Sequence, residues 1–189
     1  MAKSKRTFLL LAGLLFALYY AVSYALMQRP ASDISIHATW AAEGNFSDWT
    51  SFFHHGAHPM WHVLVSLLLL PGVPLPVAAS VVSALCKALE FLLIARLFCP
   101  CGRWAVPAAL ACALVSSLCV PFYNPTVYLG VGSPNTWHSP TQMIAMVWML
   151  LCVPYTAKCY DRFTELEKTA GPRAVLPTKM PLLLSVLLL

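Results

Sequence analysis

The run MWHVLVSLLLLPGVPLP, residues 60–76, decides how the rest of the chain is arranged. Its first eleven residues are apolar apart from His62 and Ser66, but as an α-helix they reach only about 16 Å, roughly half of a bilayer's hydrocarbon core. The prolines then end any helix, because proline lacks the amide donor and disfavours helix in the residue before it. The question for the fold is whether this segment crosses a membrane or dips into it and returns.

Four longer apolar segments are candidates for membrane-crossing helices, which need about 20 apolar residues. They are residues 7–27, 74–98, 104–123 and, as a shorter candidate, 142–157. The first follows basic residues, exceeds the length of a signal-peptide core and lacks a small-x-small cleavage site, so we interpret it as a retained anchor. Residues 181–189 are apolar again but too short to cross. We expect them to be the start of a fifth, cut-off span.

The distribution of Lys and Arg distinguishes the two topologies. If residues 60–70 do not cross, ten basic residues lie in the cytoplasm, Lys87 lies within a span and only Arg29 lies outside. If they do cross, three lie inside and eight outside, against the positive-inside rule. The resulting placement is cytoplasmic for the N-terminus and residues 158–180, extracytoplasmic for residues 28–73 and 124–141, and juxtamembrane or re-entrant for residues 60–70.

The composition agrees with this class of protein. The chain is 59% hydrophobic and 10% charged, whereas a soluble domain carries about a quarter charged residues. This excludes a soluble enzyme and a nucleic-acid binder, since the basic residues behind the net charge of +5 are scattered among loops. We predict an all-α, polytopic transmembrane helical bundle in the cell membrane, with the lipid bilayer as its general partner. Residues 1–189 form one integral membrane domain with four complete spans and the start of a fifth.

The seven cysteines mostly lie inside apolar runs, where thiols pack as small hydrophobes. Cys99 and Cys101 are too close in sequence for ordinary disulfide geometry and have no second pair at zinc-ribbon spacing. We assign them neither a disulfide nor a metal.

All six histidines, together with Asp33, Glu43 and Asp48, fall on the extracytoplasmic side or at its interface. Asp33 and His37 are four residues apart and share one face if this piece is helical. Asp33 has two interpretations. It is the N-cap of such a helix, a role for which Ser32 is the other candidate, or it is a carboxylate at the mouth of a membrane cavity that accepts a proton or binds a metal.

Two other clusters leave functional and structural interpretations open. The run HHGAHPMWH, residues 54–62, has four histidines but no HExxH spacing, so it is either a metal site or an interfacial segment beside a dipping helix. Lys87 and Glu90 lie three apart within a span, so they either neutralise each other or line a polar path.

The second external loop contains YLGVGSPNTWHSPTQ, residues 128–142. Its glycines and prolines indicate a tightly turned segment, and the plain interpretation is a connector whose turn residues link two helices. The loop as a whole, residues 124–141, is long for a connector, and long ordered loops are often functional. We favour a functional role.

Together these segments resemble the N-terminal part of polytopic GT-C-type glycosyltransferases. SDISIHATWA, residues 32–41, and HPMWHVLVSLL, residues 58–68, look like first-loop motifs of that superfamily, where an acidic residue near the first span is followed by a His-Pro-aromatic entry into the membrane. The second-loop run is similar to a motif of uncharacterised bacterial membrane proteins allied to that group. That motif is usually closer to Ser-Pro-Asn-x-Trp-His-Asn-Pro-Thr, and Ser139 stands here in place of its second Asn.

The resemblance covers the first half of a typical enzyme of this kind. It implies a transferase that moves a sugar from a polyprenyl-phosphate donor to an extracytoplasmic acceptor, with inversion in a single displacement. Asp33 would be the catalytic base. The residues implied in substrate binding are His37, His58, Asn135, Trp137 and His138. No cofactor is implied, although a divalent cation could assist at the donor phosphate.

Two other functions fit the residues. One is a transporter or flippase-like membrane protein without catalytic activity, in which Lys87 and Glu90 line a polar path. Transporters often contain an internal repeat, and the sequence shows none. The other is a metal-dependent membrane hydrolase built on the histidine cluster.

Overall fold

The computed structural model describes residues 2–30, 32–53, 59–115 and 140–170. These described residues are helical, with one isolated β-bridge between Asn45 and Asp48. The α-helices are α1 (Ala2–Met27), α2 (Asp33–Ala42), α3 (Met60–Leu69), α4 (Leu75–Phe98), α5 (Ala105–Val115) and α6 (Pro140–Ala170). Two short 3-10 helices cover Trp49–Phe53 and Cys99–Trp104. The predicted all-α class is confirmed for this part of the chain.

Three helical stretches among the described residues are long and apolar enough to cross a membrane. They are Arg6–Met27, Leu75–Ala113 and Met143–Arg162. The second stretch contains both α4 and α5, so the predicted span 104–123 begins as α5 and is described only to Val115. The remainder of that span, most of the predicted loop 124–141 and the predicted fifth-span start 181–189 lie outside the described residues. The number of complete spans therefore stays a prediction.

Contacts between Cα atoms divide the chain into two compact units, Met1–Met146 and Val147–Leu189. The first unit holds α1 to α5 and the first turns of α6. The second holds the rest of α6, which stays helical through Pro154 and reaches Ala170. The helix thus continues beyond the predicted span 142–157. The Lys, Arg and Glu residues after Ala157 have helix propensities close to that of Leu. The next two residues in the sequence, Gly171 and Pro172, are typical of a helix end.

Helices α1 and α4 pack against each other in antiparallel directions. Phe8, near the start of α1, contacts Phe91 near the end of α4, with ring centroids 6.2 Å apart. Further along α1, the ring of Tyr19 lies 5.5 Å from Nζ of Lys87, which precedes Phe91 in α4. The end of α1 and the start of α4 therefore lie at the same end of the pair. Residues 28–74 therefore begin and end at that same end of the α1–α4 pair.

The chain reverses between α4 and α5 at Gly102. The backbone there has φ 57° and ψ −121°, a conformation that residues with a Cβ rarely adopt. After the turn α5 packs back along α4 and buries Ala105, Ala109 and Ala113. These residues recur every fourth position, and small side chains on one stripe let two helices approach closely.

The apolar run at residues 60–70 forms α3, a ten-residue helix that packs on α2 and α4. It ends at the Pro71-Gly72 turn, where Gly72 has φ 87°. Within α3 the hydroxyl of Ser66 donates to the carbonyl of Ala41 in α2 and to that of His62. The hydroxyl is buried, so these bonds satisfy its polar group and join α3 to α2. The juxtamembrane or re-entrant position of residues 60–70 stays a prediction.

Candidate functional site

Helix α2 begins with Ser32 as its N-cap, and this leaves Asp33 in the first turn. The Ser32 hydroxyl accepts a hydrogen bond from the amide of Ser35 at 3.3 Å. Of the two N-cap candidates, the structure selects Ser32. The half-buried carboxylate of Asp33 lies among the unsatisfied amides at the helix start, where negative charge is stabilised. It also lies one turn before His37, as their spacing predicts.

His37 of α2 is hydrogen-bonded to His62 of α3. Its Nδ1 lies 3.0 Å from Nε2 of His62, and the two ring planes are inclined by 27° with centroids 5.2 Å apart. The centroid distance exceeds the nitrogen distance by about two ring radii. The two nitrogens therefore lie between the rings, on nearly the same line as the centroids. This is an N–H···N hydrogen bond, in which one imidazole donates and the other accepts.

The same geometry bears on a metal at this pair. Two histidines that bind one ion direct their lone pairs at a third point, whereas these two nitrogens face each other. Within the described parts of the chain, no group of three His, Cys, Asp or Glu side chains is placed to hold an ion. His54, His55 and His58 of the predicted histidine cluster lie outside those parts. His62, the fourth member, has an imidazole as its partner.

Two tryptophans enclose the histidine pair. Trp40 meets His37 edge-on at 4.8 Å between centroids, and Trp61 meets the same ring at 6.5 Å. Trp61 is fully buried and His62 is 2% exposed, so the pair faces little water on the α3 side. The indole N–H of Trp61 has no acceptor among the described residues. An internal water is the partner that such a buried group takes.

Burial lowers the pKa of His37 below its ordinary value of 6.5, and the negative charge of Asp33 opposes that shift. The imidazole is therefore neutral at pH 7, with one nitrogen that accepts a proton and one that donates. A carboxylate, a neutral imidazole and a second imidazole follow one another in this cluster. Such a series can accept a proton from a substrate and hold it.

The other pair of ionisable residues lies in the α1–α4 interface. Nζ of Lys87 is 2.9 Å from Oε2 of Glu90, and the two side chains are 0% and 1% exposed. The Tyr19 ring of α1 lies beside the ammonium group, which adds a cation–π contact. The two charges neutralise each other inside packed helices. This agrees with the structural interpretation of the pair, mutual neutralisation.

The structure brings two of the predicted site residues together, Asp33 and His37. The predicted substrate-binding residues His58, Asn135, Trp137 and His138 lie outside the described residues. Sequence reasoning did not include His62 among the site residues, although the structure places it against His37. One signal was available: His62 is the only ionisable residue of α3, and a buried imidazole needs a hydrogen-bond partner.

No family model, curated protein or solved structure matches this chain.

Proposed function

We propose that the chain belongs to a multi-pass membrane glycosyltransferase. It moves a sugar from a polyprenyl-phosphate donor to an acceptor on the extracytoplasmic side. One observation carries the proposal: Asp33 lies one turn from a hydrogen-bonded imidazole pair, just beyond the end of a helix long enough to cross a membrane. Acid–base groups collected beside the end of a span are well placed for a substrate with a lipid tail and a polar head.

In the proposed reaction the acceptor hydroxyl attacks the anomeric carbon of the donor sugar. The new carbon–oxygen bond forms on the face opposite the phosphate, the bond from carbon to the phosphate oxygen breaks, and polyprenyl phosphate leaves. Asp33 takes the hydroxyl proton as the general base. His37 binds a sugar hydroxyl or the leaving phosphate through Nε2, the ring nitrogen that is not bonded to His62.

The proposed topology places the N-terminus in the cytoplasm and residues 28–73 outside. Two features support it. The basic residues distribute according to the positive-inside rule only if residues 60–70 do not cross. The antiparallel packing of α1 and α4 also requires that residues 28–74 start and finish at the same end of the pair.

The test of the proposed base is Asp33→Asn. The amide has nearly the shape of the carboxylate but accepts no proton, so we expect transfer from a polyprenyl-phosphate sugar to fall by about 10²-fold or more. Transfer is measured in membranes with a radiolabelled donor, at matched expression.

The matched control is Glu43→Gln, which removes a carboxylate at the other end of α2. We expect transfer near the wild-type rate in this variant. Wild-type transfer in Asp33→Asn would refute the proposed base, and equal losses in both variants would show that α2 tolerates no charge change.

A further inference from the structure

The 3-10 helix Trp49–Phe53, between α2 and α3, holds two large aromatic side chains outward. Trp49 is 57% exposed and Phe53 is 59% exposed. Between them in the sequence, Phe52 is 2% exposed and points inward. Apolar side chains of this size on one short turn form a patch that calls for a partner.

The turn is held by its own side chains. The Asp48 carboxylate accepts hydrogen bonds from the Thr50 amide at 3.0 Å and the Thr50 hydroxyl at 2.6 Å. The Ser51 hydroxyl accepts from the Asn45 amide at 2.8 Å and donates to the Asp48 carbonyl at 2.7 Å. These local bonds fix the backbone and therefore the direction in which Trp49 leaves it.

Phe52 anchors the turn from inside. Its ring lies against Gly44 so closely that a Cβ at that position would collide with it. The same ring contacts Phe46 at 5.2 Å and Trp49 at 5.7 Å between centroids. The exposed indole thus rests on a buried aromatic base, which prevents it from folding back into the protein.

The chemistry of the patch selects its partner. The turn follows α2, which packs on the end of the membrane-spanning candidate α1. The neighbouring helices also expose large apolar side chains, Ile36 of α2 at 38% and Met60 of α3 at 42%. The charges nearest the turn in sequence are acidic, at Glu43 and Asp48, so attraction to an anionic surface is not the driving force. Indole and phenyl rings beside the end of a span are typical of the boundary between lipid headgroups and acyl chains.

We propose that Trp49 and Phe53 insert into the headgroup–acyl boundary of the extracytoplasmic leaflet and anchor the α2–α3 connection to the phospholipid surface. The anchor holds the segment that carries Asp33 and His37 at the level of the membrane. It rests on the proposed topology but not on the proposed transferase activity, because it concerns only where this turn lies.

The test places the photo-crosslinking residue p-benzoylphenylalanine at Trp49 and, in a second variant, at Phe53. Both changes replace one aromatic side chain by another, and the native cysteines stay in place. After illumination of intact membranes the full chain is purified and its intact mass is measured. We expect both variants to gain the mass of a phospholipid in a fraction several-fold larger than that of a control carrying the same residue at Ser47.

Ser47 is the matched control because it is an exposed polar residue of the same turn. Leu14 of α1, 66% exposed, is the positive control for contact with lipid. Three results would overturn the proposal: yields at Trp49 and Phe53 no higher than at Ser47, adducts to another protein at these positions, or adducts with the mass of a polyprenyl phosphate in place of a phospholipid.

Discussion

At the scale of the residue, the His37–His62 contact makes the pairing of α2 and α3 depend on protonation. The bond at 3.0 Å needs one imidazole nitrogen without a proton. When both rings are charged, two N–H groups face each other and the bond is lost. No charged residue of α3, and none in the first half of α4, can compensate that repulsion, because both are apolar apart from His62 and serines. The negative charge of Asp33 acts on His37 in the opposite direction to burial.

The folded protein should lose stability as the pH falls. Burial holds the pKa of His37 below its ordinary value of 6.5, so the unfolded chain binds the proton more readily than the folded chain does. The contribution of His37 is therefore complete above about pH 6.5 and decreases as the pH falls below it, toward the lowered pKa. Thermal unfolding in detergent at a series of pH values measures this effect.

The variant for comparison is His37→Gln, whose amide keeps a hydrogen-bonding group but has no titrating nitrogen. We expect its unfolding temperature to fall less between pH 7.5 and pH 5 than that of the wild type. Parallel curves for the two proteins would contradict the role assigned to His37.

At pH 7.5, His62→Ala should lower the free energy of unfolding by about 1–3 kcal/mol, since it leaves a buried nitrogen of His37 without its partner.

At the scale of the element, α4 buries an ion pair between two of its own side chains. Lys87 and Glu90 are 0% and 1% exposed, so the loss of either one leaves an uncompensated charge in an apolar interior. The pair adds little net stability, because the cost of removing both charges from water offsets their attraction. The ion pair lies within one helix, and the Tyr19 ring beside the ammonium group is a contact between it and α1.

The single variant should therefore lose much more stability than the double variant. Lys87→Met leaves Glu90 buried without its ammonium partner, and we expect a loss of about 3–5 kcal/mol in the free energy of unfolding. Lys87→Met combined with Glu90→Met should recover most of that loss. Denaturant unfolding in detergent micelles measures both. A double variant as unstable as the single one would show that the ion pair itself stabilises the fold.

At the scale of the whole molecule, the α1–α4 pair has different groups at its two ends. The α2–α3 region lies at one end of the α1–α4 pair, and the Gly102 turn with Cys99 and Cys101 lies at the other. Both of these thiols are exposed. The proposed topology puts this turn in the cytoplasm and the turn at Ser47 outside.

A membrane-impermeant maleimide tests this topology in intact cells. We expect Ser47→Cys to be labelled without permeabilisation, because position 47 is exposed on the extracytoplasmic turn. The wild-type chain is its own control, since its exposed Cys99 and Cys101 should react only after the membrane is opened. Labelling of the wild type in intact cells, with protection of position 47, would invert the topology.

Much of the fold follows from the sequence because it depends on local rules. The lengths of apolar runs predicted α1 and α4, and the prolines after Leu70 predicted the end of α3. The spacing of Asp33 and His37 predicted their common face. The contact from His37 to His62 spans 25 residues and depends on how two short helices meet, which no local pattern contains. The separation of Trp49 and Phe53 from Phe52 likewise depends on a 3-10 turn that side-chain hydrogen bonds create.

The antiparallel packing of α1 and α4 has a thermodynamic consequence for everything between them. It brings the two ends of residues 28–74 together, as a crosslink would. The entropic cost of closing this loop is therefore incurred when the two long helices associate. Helices α2 and α3 then order against each other and against α4. A change at Lys87 that loosens the long helices should therefore also weaken the bond between His37 and His62, which belong to other helices.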